Sequence, residues 1–174
     1  MVMLTPKYLT PELAERAVAI AKRTVFGSGP RDSGRNFPVK REAFHIVILV
    51  PSIIDVRAGD SLEWLNQPLL PTLLYEQSWK FDHWTAPYDK IARSKALQHW
   101  QGRSNGKVIT PHLLFSGDTP FVGSVERDGI VAACSGVQPR YDRLMCSIAL
   151  DSMIALAEEA YKADDPDAEK DFLD

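Results

Sequence analysis

Residues 43 to 50 read Ala-Phe-His-Ile-Val-Ile-Leu-Val, a nearly continuous apolar and β-branched run. It predicts a central strand covered on both sides, which requires layers above and below it. The rest of the chain must supply those layers. Thr10-Pro11-Glu12 is a helix start, with Thr10 as N-cap and Pro11 in the first helical position. Leu13, Ala17, Ile20, Ala21 and Val25 then recur at helical spacing, so a helix is expected over 11–25, closed by Gly27 and Gly29-Pro30. Further helices are expected over 88–102 and 140–161. The first is marked by Ile91, Ala92, Lys95, Ala96 and His99, the second by Leu144, Ile148, Met153, Leu156 and Ala157.

Asp128-Gly129 is the strongest hairpin dipeptide in the chain and predicts paired strands over 121–126 and 130–136. Shorter strands are expected at 61–65, after the Gly59-Asp60 turn, and at 108–115, interrupted at Pro111. The segment 66–87 carries Pro68, Pro71 and Pro87 among Tyr75, Trp79, Phe81 and Trp84, and reads as a packed irregular stretch with one helical turn. Residues 31–41 read as an exposed loop. The expected fold is therefore α+β, a central antiparallel sheet flanked by helices. It forms a single domain over 1–162 with an acidic flexible tail over 163–174.

The chain has 174 residues with 20 basic and 23 acidic side chains, a net charge of −3, and no basic run, which argues against nucleic acid as a partner. No apolar stretch is long enough to span a bilayer, so no membrane partner is expected. The N-terminus shows no basic segment followed by an apolar one, and no signal peptide is expected. Cys134 and Cys146 form no disulfide framework and read as buried, inert thiols. A cytoplasmic location is the matching expectation.

Three segments carry a family likeness. Ile91-Ala92-Arg93-Ser94-Lys95-Ala96 resembles an "IA..KA" helix, Gly117-Asp118-Thr119-Pro120-Phe121 a "GG-P" turn, and Asp128 to Val137 a "DG-IVGA-GVSG" strand followed by an acidic residue, here Asp142. Over 88–161 the chain thus resembles the GlcG/HbpS-like family of small-molecule- or haem-binding proteins. The resemblance implies a profilin-like α-β-α sandwich, a homo-oligomer and a pocket for haem or another planar carboxylated ligand. The chain departs from the pattern at Asp118, where the family has its second turn glycine, and at Ser135-Gly136-Val137-Gln138. Residues 68–84 form an insert without a counterpart.

Candidate site residues follow from chemistry and from this likeness together. His83, His99 and His112 are three of the four histidines and could serve as acid/base groups or as a haem axial ligand, or lie scattered on the surface. Their spacing matches no metal-ligand motif, so no metal is expected. The fourth, His45, reads as a satisfied core histidine. Lys95 could hold a carboxylate or haem propionate, or simply snorkel, while Arg93 faces elsewhere. Trp79, Trp84 and Trp100 with Tyr75 and Tyr88 could stack on a flat ligand, or form a core or oligomer contact.

Two functions fit. One is a binding protein with His112, Trp79, Trp84, Gly117 and Thr119 around the ligand. The other is a cofactor-independent isomerase, hydratase or lyase using His99, Lys95, His83 and Asp142, with Glu76 as a further candidate. The expected site lies between the helix of Lys95 and His99, the turn 117–120 and the aromatic segment 79–84. Lys95 is expected to lower the pKa of His99 and keep it neutral.

Overall fold

The computed structural model describes residues 3–28, 36–54 and 68–164. In chain order its elements are β1 (Met3–Leu4), α1 (Pro11–Phe26), β2 (Phe44–Ile54), β3 (Leu70–Trp79), α2 (Tyr88–Trp100), β4 (Ser124–Arg127), β5 (Ile130–Ser135) and α3 (Pro139–Ala163). The expected strand at 61–65 and the end of the acidic tail, 165–174, lie outside the described residues.

The run at 43–50 forms the heart of the sheet. β2 pairs antiparallel with β3 on one side and with β5 on the other, β4 adds beyond β5, and β1 joins the far end of β2. Alternate side chains of β2 serve different layers. Phe44, Ile46, Ile48 and Val50 enter the large core with α1 and α3, while Val47 joins Ala92, Ala96, Val131 and Ala133 under α2. The protein is α+β: among the described residues an antiparallel five-stranded sheet carries α2 on one face and α1 with α3 on the other. A strand buried on both faces needs the nearly continuous apolar run that 43–50 provides.

Local signals explain the element ends. Thr10 Oγ1 accepts the Leu13 N–H at 3.3 Å, Pro11 opens α1, and the Gly27 N–H closes it by donating to the Arg23 carbonyl. Asp128 and Gly129 both take positive φ, 50° and 80°, as the tight hairpin between β4 and β5 requires.

Two expectations are corrected. Residues 70–79 are a ten-residue strand whose pairing with β2 shifts register at Leu74, and only Phe81–His83 form the expected helical turn. Pro71 is tolerated because β3 lies at the sheet edge among the described residues, where one N–H fewer breaks no inner ladder. Residues 108–115 are not a strand. Ser104 and Ile109 make one isolated bridge, and Pro111–Leu113 form a 3-10 turn.

Candidate functional site

α2 presents two polar residues one turn apart, and the fold uses them differently. Lys95 points inward, where its Nζ donates to the Cys134 carbonyl at 2.8 Å and to Asp142 Oδ2 at 3.3 Å. Both side chains are almost fully buried, 3% and 4% exposed. Asp142 Oδ1 accepts the Val137 N–H at 3.1 Å, so this carboxylate also holds the turn into α3. Gly123 makes the room, since a Cβ there would stand 3.0 Å from Lys95 Nζ and 2.8 Å from Asp142 Cβ. Burial pushes the Asp142 carboxyl up to about 6 against the pull of Lys95. With every oxygen engaged inside the protein, the pair is a buried strut between helices.

His99 instead opens onto a cleft of about 540 Å³ between the end of α2, the loop at 105–107, β4 and the first turns of α3. Its Nδ1 is hydrogen-bonded to Ser124 Oγ at 2.8 Å, which fixes the ring plane. Four cations line the cleft, Lys107, Arg127, Arg140 and Arg143, against the single carboxylate of Glu126. Two of these charges are already engaged. Arg127 pairs with Asp151 at 3.1 Å and Ser147 Oγ at 2.9 Å, and Glu126 Oε1 accepts the Gly129 N–H. Arg143 is different, because its Nε is buried and has no hydrogen-bond partner among the described residues. The α3 N-terminus adds positive character, and its N-cap Gln138 makes no capping bond. Burial lowers the His99 pKa below the usual histidine value, with Glu126 pulling the other way, so the imidazole is neutral near pH 7. The expected cause, Lys95, is corrected to desolvation.

The remaining expected residues do not gather here. Trp79 lies under the Lys22 ammonium, 3.7 Å from its ring centroid. Trp84 packs against Phe81, Tyr88 and His45 at centroid distances of 4.7, 5.2 and 5.9 Å. Tyr88 opens α2 and His99 nearly ends it, a separation of roughly 16 Å along the axis, so the aromatic segment does not wall the cleft. His83 pairs with Asp82 at 3.4 Å beside a smaller hollow of about 290 Å³, and His112 is exposed in its 3-10 turn.

The turn at 117–120 has little backbone left to offer. The Thr119 N–H donates to Ser94 Oγ at 3.1 Å and Gln98 Oε1 at 3.2 Å, and its carbonyl accepts from Gln98 Nε2 at 3.0 Å. Asp118 forms a largely buried ion pair with Arg103 and accepts the Phe115 N–H at 2.7 Å. Gly117 has positive φ and open space around it. Glu76 is bound to Arg93, in the first half of α2, and to His45 of β2. Cys134 and Cys146 are buried thiols, both pushed up by desolvation.

Sequence reading missed Ser124, Lys107, Arg140 and Arg143. The one available signal was the Arg140/Arg143 pair, three residues apart in the first turn after Pro139 and so on one helix face. Among the described residues no group of three or more His, Cys, Asp or Glu could hold a metal ion, and no helix is long and apolar enough to cross a membrane.

No family model, no curated protein and no solved structure matches the chain.

Proposed function

We propose that the chain binds a small anionic molecule, a carboxylate in the first place, in the cleft beside His99. The observation that carries this reading is the excess of positive charge in the lining: Lys107, Arg140 and Arg143 have no carboxylate partner among the described residues, while Arg127 is paired with Asp151 and Glu126 is the one lining carboxylate. An anion in the cleft would meet these guanidinium and ammonium groups with charge-assisted hydrogen bonds, the strong kind. The segments that resemble the GlcG/HbpS-like family fall in α2, the 117–120 turn, the turn and second strand of the β4–β5 hairpin and the start of α3; none of their residues lines the cleft, which is bordered by other residues of α2, β4 and α3. The cations of the lining, rather than the resemblance, make a carboxylated ligand part of the proposal. Haem is the less favoured version, because Trp79 and Trp84 lie at the other end of α2 and the apolar lining reduces to Val125 and Leu144.

A second reading is favoured by one feature. His99 is neutral, oriented by Ser124 and open to the cation-lined cleft, which is the arrangement of a general base beside an anion clamp. A cofactor-independent proton transfer on a bound carboxylate uses the same site.

Calorimetric titration with benzoate, phthalate, citrate and haem separates these versions. At least one carboxylate should bind wild-type protein, and Arg143→Ala should weaken it about tenfold or more, corresponding to roughly 1.4 kcal/mol. No binding by any of the four, or equal binding by the variant, refutes the placement. A Soret shift on adding haem would restore the haem version.

A further inference from the structure

A second constellation sits on the opposite half of α2 and is independent of the cleft. His45 on β2 and Ser78 on β3 are directly paired across the two strands, which places their side chains side by side on the α2 face. His45 Nδ1 lies 2.9 Å from Ser78 Oγ, and His45 Nε2 lies 3.2 Å from Glu76 Oε2. Glu76 in turn receives Arg93 Nε and a terminal guanidinium nitrogen, each at 2.9 Å. Arg93 holds the Glu76 carboxyl below the usual carboxylate range, so it is ionised and can only accept. The tautomer follows. Nε2 must carry the proton that Glu76 accepts, and a neutral ring then turns the Nδ1 lone pair to the Ser78 hydroxyl.

From this geometry we infer that Ser78 is a nucleophile activated by His45, with Glu76 as positioning residue, in a site that acts on small hydrophobic or aryl esters. Burial and accessibility are divided as nucleophilic catalysis needs. The His45 side chain is 4% exposed, whereas Ser78 is exposed to solvent. Trp84 packs edge-on against the His45 ring, and Phe81, 70% exposed, lies beside Trp84. Through Trp84 these aromatics lie next to the His45 ring and offer an apolar surface for an acyl or aryl group. β3 is an edge strand among the described residues, so part of its N–H groups face outward and can receive a developing oxyanion.

The step balances without a cofactor. The Ser78 Oγ–H proton passes to His45 Nδ1 while Oγ bonds to the ester carbonyl carbon. The bond from that carbon to the leaving oxygen breaks, and the leaving alkoxide takes the proton from Nδ1. Water then attacks the acyl-serine, giving one proton to Nδ1. The carbon–Oγ bond breaks, and Oγ recovers its proton.

The probes are p-nitrophenyl acetate and a fluorophosphonate, used on the full chain. Wild-type protein should hydrolyse the ester and carry the phosphonate on Ser78, located by peptide mass spectrometry. Ser78→Ala should remove the label and lower turnover by about 100-fold or more, the scale of general-base assistance. Wild-type protein without label on Ser78, or a Ser78→Ala variant that turns over equally, overturns the assignment. Ser78→Cys gives a second arm. Its thiol beside a base should react with iodoacetamide at pH 6.5 about tenfold faster than free cysteine, and an ordinary rate counts against the assignment. The groups facing His45 are Ser78 and Glu76 from β3, Asp89 and Arg93 from α2, and Trp84. Burial lowers the His45 pKa and Glu76 raises it, so Glu76→Gln should move the pH midpoint of hydrolysis downward. An unmoved midpoint removes Glu76 from the triad and overturns it in this form.

Discussion

Lys95 and Asp142 join helices that pack on opposite faces of the sheet, with Nζ 3.3 Å from Oδ2 and both side chains out of solvent. Removing one partner strands the other charge in the interior. Lys95→Met keeps most of the volume but leaves the carboxylate alone, and should lower stability at pH 7 by about 3–5 kcal/mol in urea denaturation. The loss should shrink at pH 5, where the Asp142 carboxyl takes up a proton. A loss below about 1 kcal/mol at pH 7 would show that the pair is no strut.

Asp142 also sets a pH dependence. Its folded value of about 6 lies above the ordinary 3.8, so the folded protein holds this proton more tightly than the unfolded chain. The contribution is fully present below about pH 4 and is lost as pH rises through 6. Wild type should therefore lose stability relative to Asp142→Asn by about 2–3 kcal/mol between pH 4 and pH 7. A constant difference across that range contradicts the assignment.

Glycine positions allow a controlled comparison. Gly106 and Gly129 share a φ of +80°, so alanine carries the same backbone strain at both, about 1–2 kcal/mol. Around Gly129 nothing lies within 4 Å, whereas a Cβ on Gly106 would stand 1.9 Å from the Ser124 carbonyl oxygen. Gly129→Ala should fold with that modest loss. Gly106→Ala should lose about 3 kcal/mol more, or fail to fold, because the obstacle is backbone and cannot rotate away. Equal melting temperatures for the two would contradict the close packing of the 105–107 loop on β4.

How much of this was legible depended on whether the information was local. The doubly buried run at 43–50, the Thr10-Pro11 helix start and the Asp128-Gly129 turn each determine their own conformation, and each is found where expected. β3 was hidden because its proline and aromatics carry no period, and only pairing with β2 makes it a strand. The site divided for the same reason. Lys95 and His99 are one turn apart and were read as one pair, but a small rotation around the helix decides between the interior and the cleft, and only packing sets it. Arg140 and Arg143 became visible as a site only when β4 and the 105–107 loop were folded against them.

His99 provides the last test, because its charge state reports what occupies the cleft. Burial places its pKa below 6.5, so the unfolded chain binds this proton more tightly than the folded protein does. The stability it contributes is present above pH 6.5 and is lost as pH falls through the depressed folded value. Histidine resonances followed against pH should show depressed midpoints for both His99 and His45, which is also lowered by burial. An anion seated among Lys107, Arg140 and Arg143 adds negative charge beside His99 and favours its protonated form. Saturation with a carboxylate that binds should therefore raise the His99 midpoint. His45 of β2, held by Ser78 and Glu76 of β3, should keep its own. A ligand that moves His45 and leaves His99 unchanged binds at the serine cluster, and would move the binding function out of the cleft.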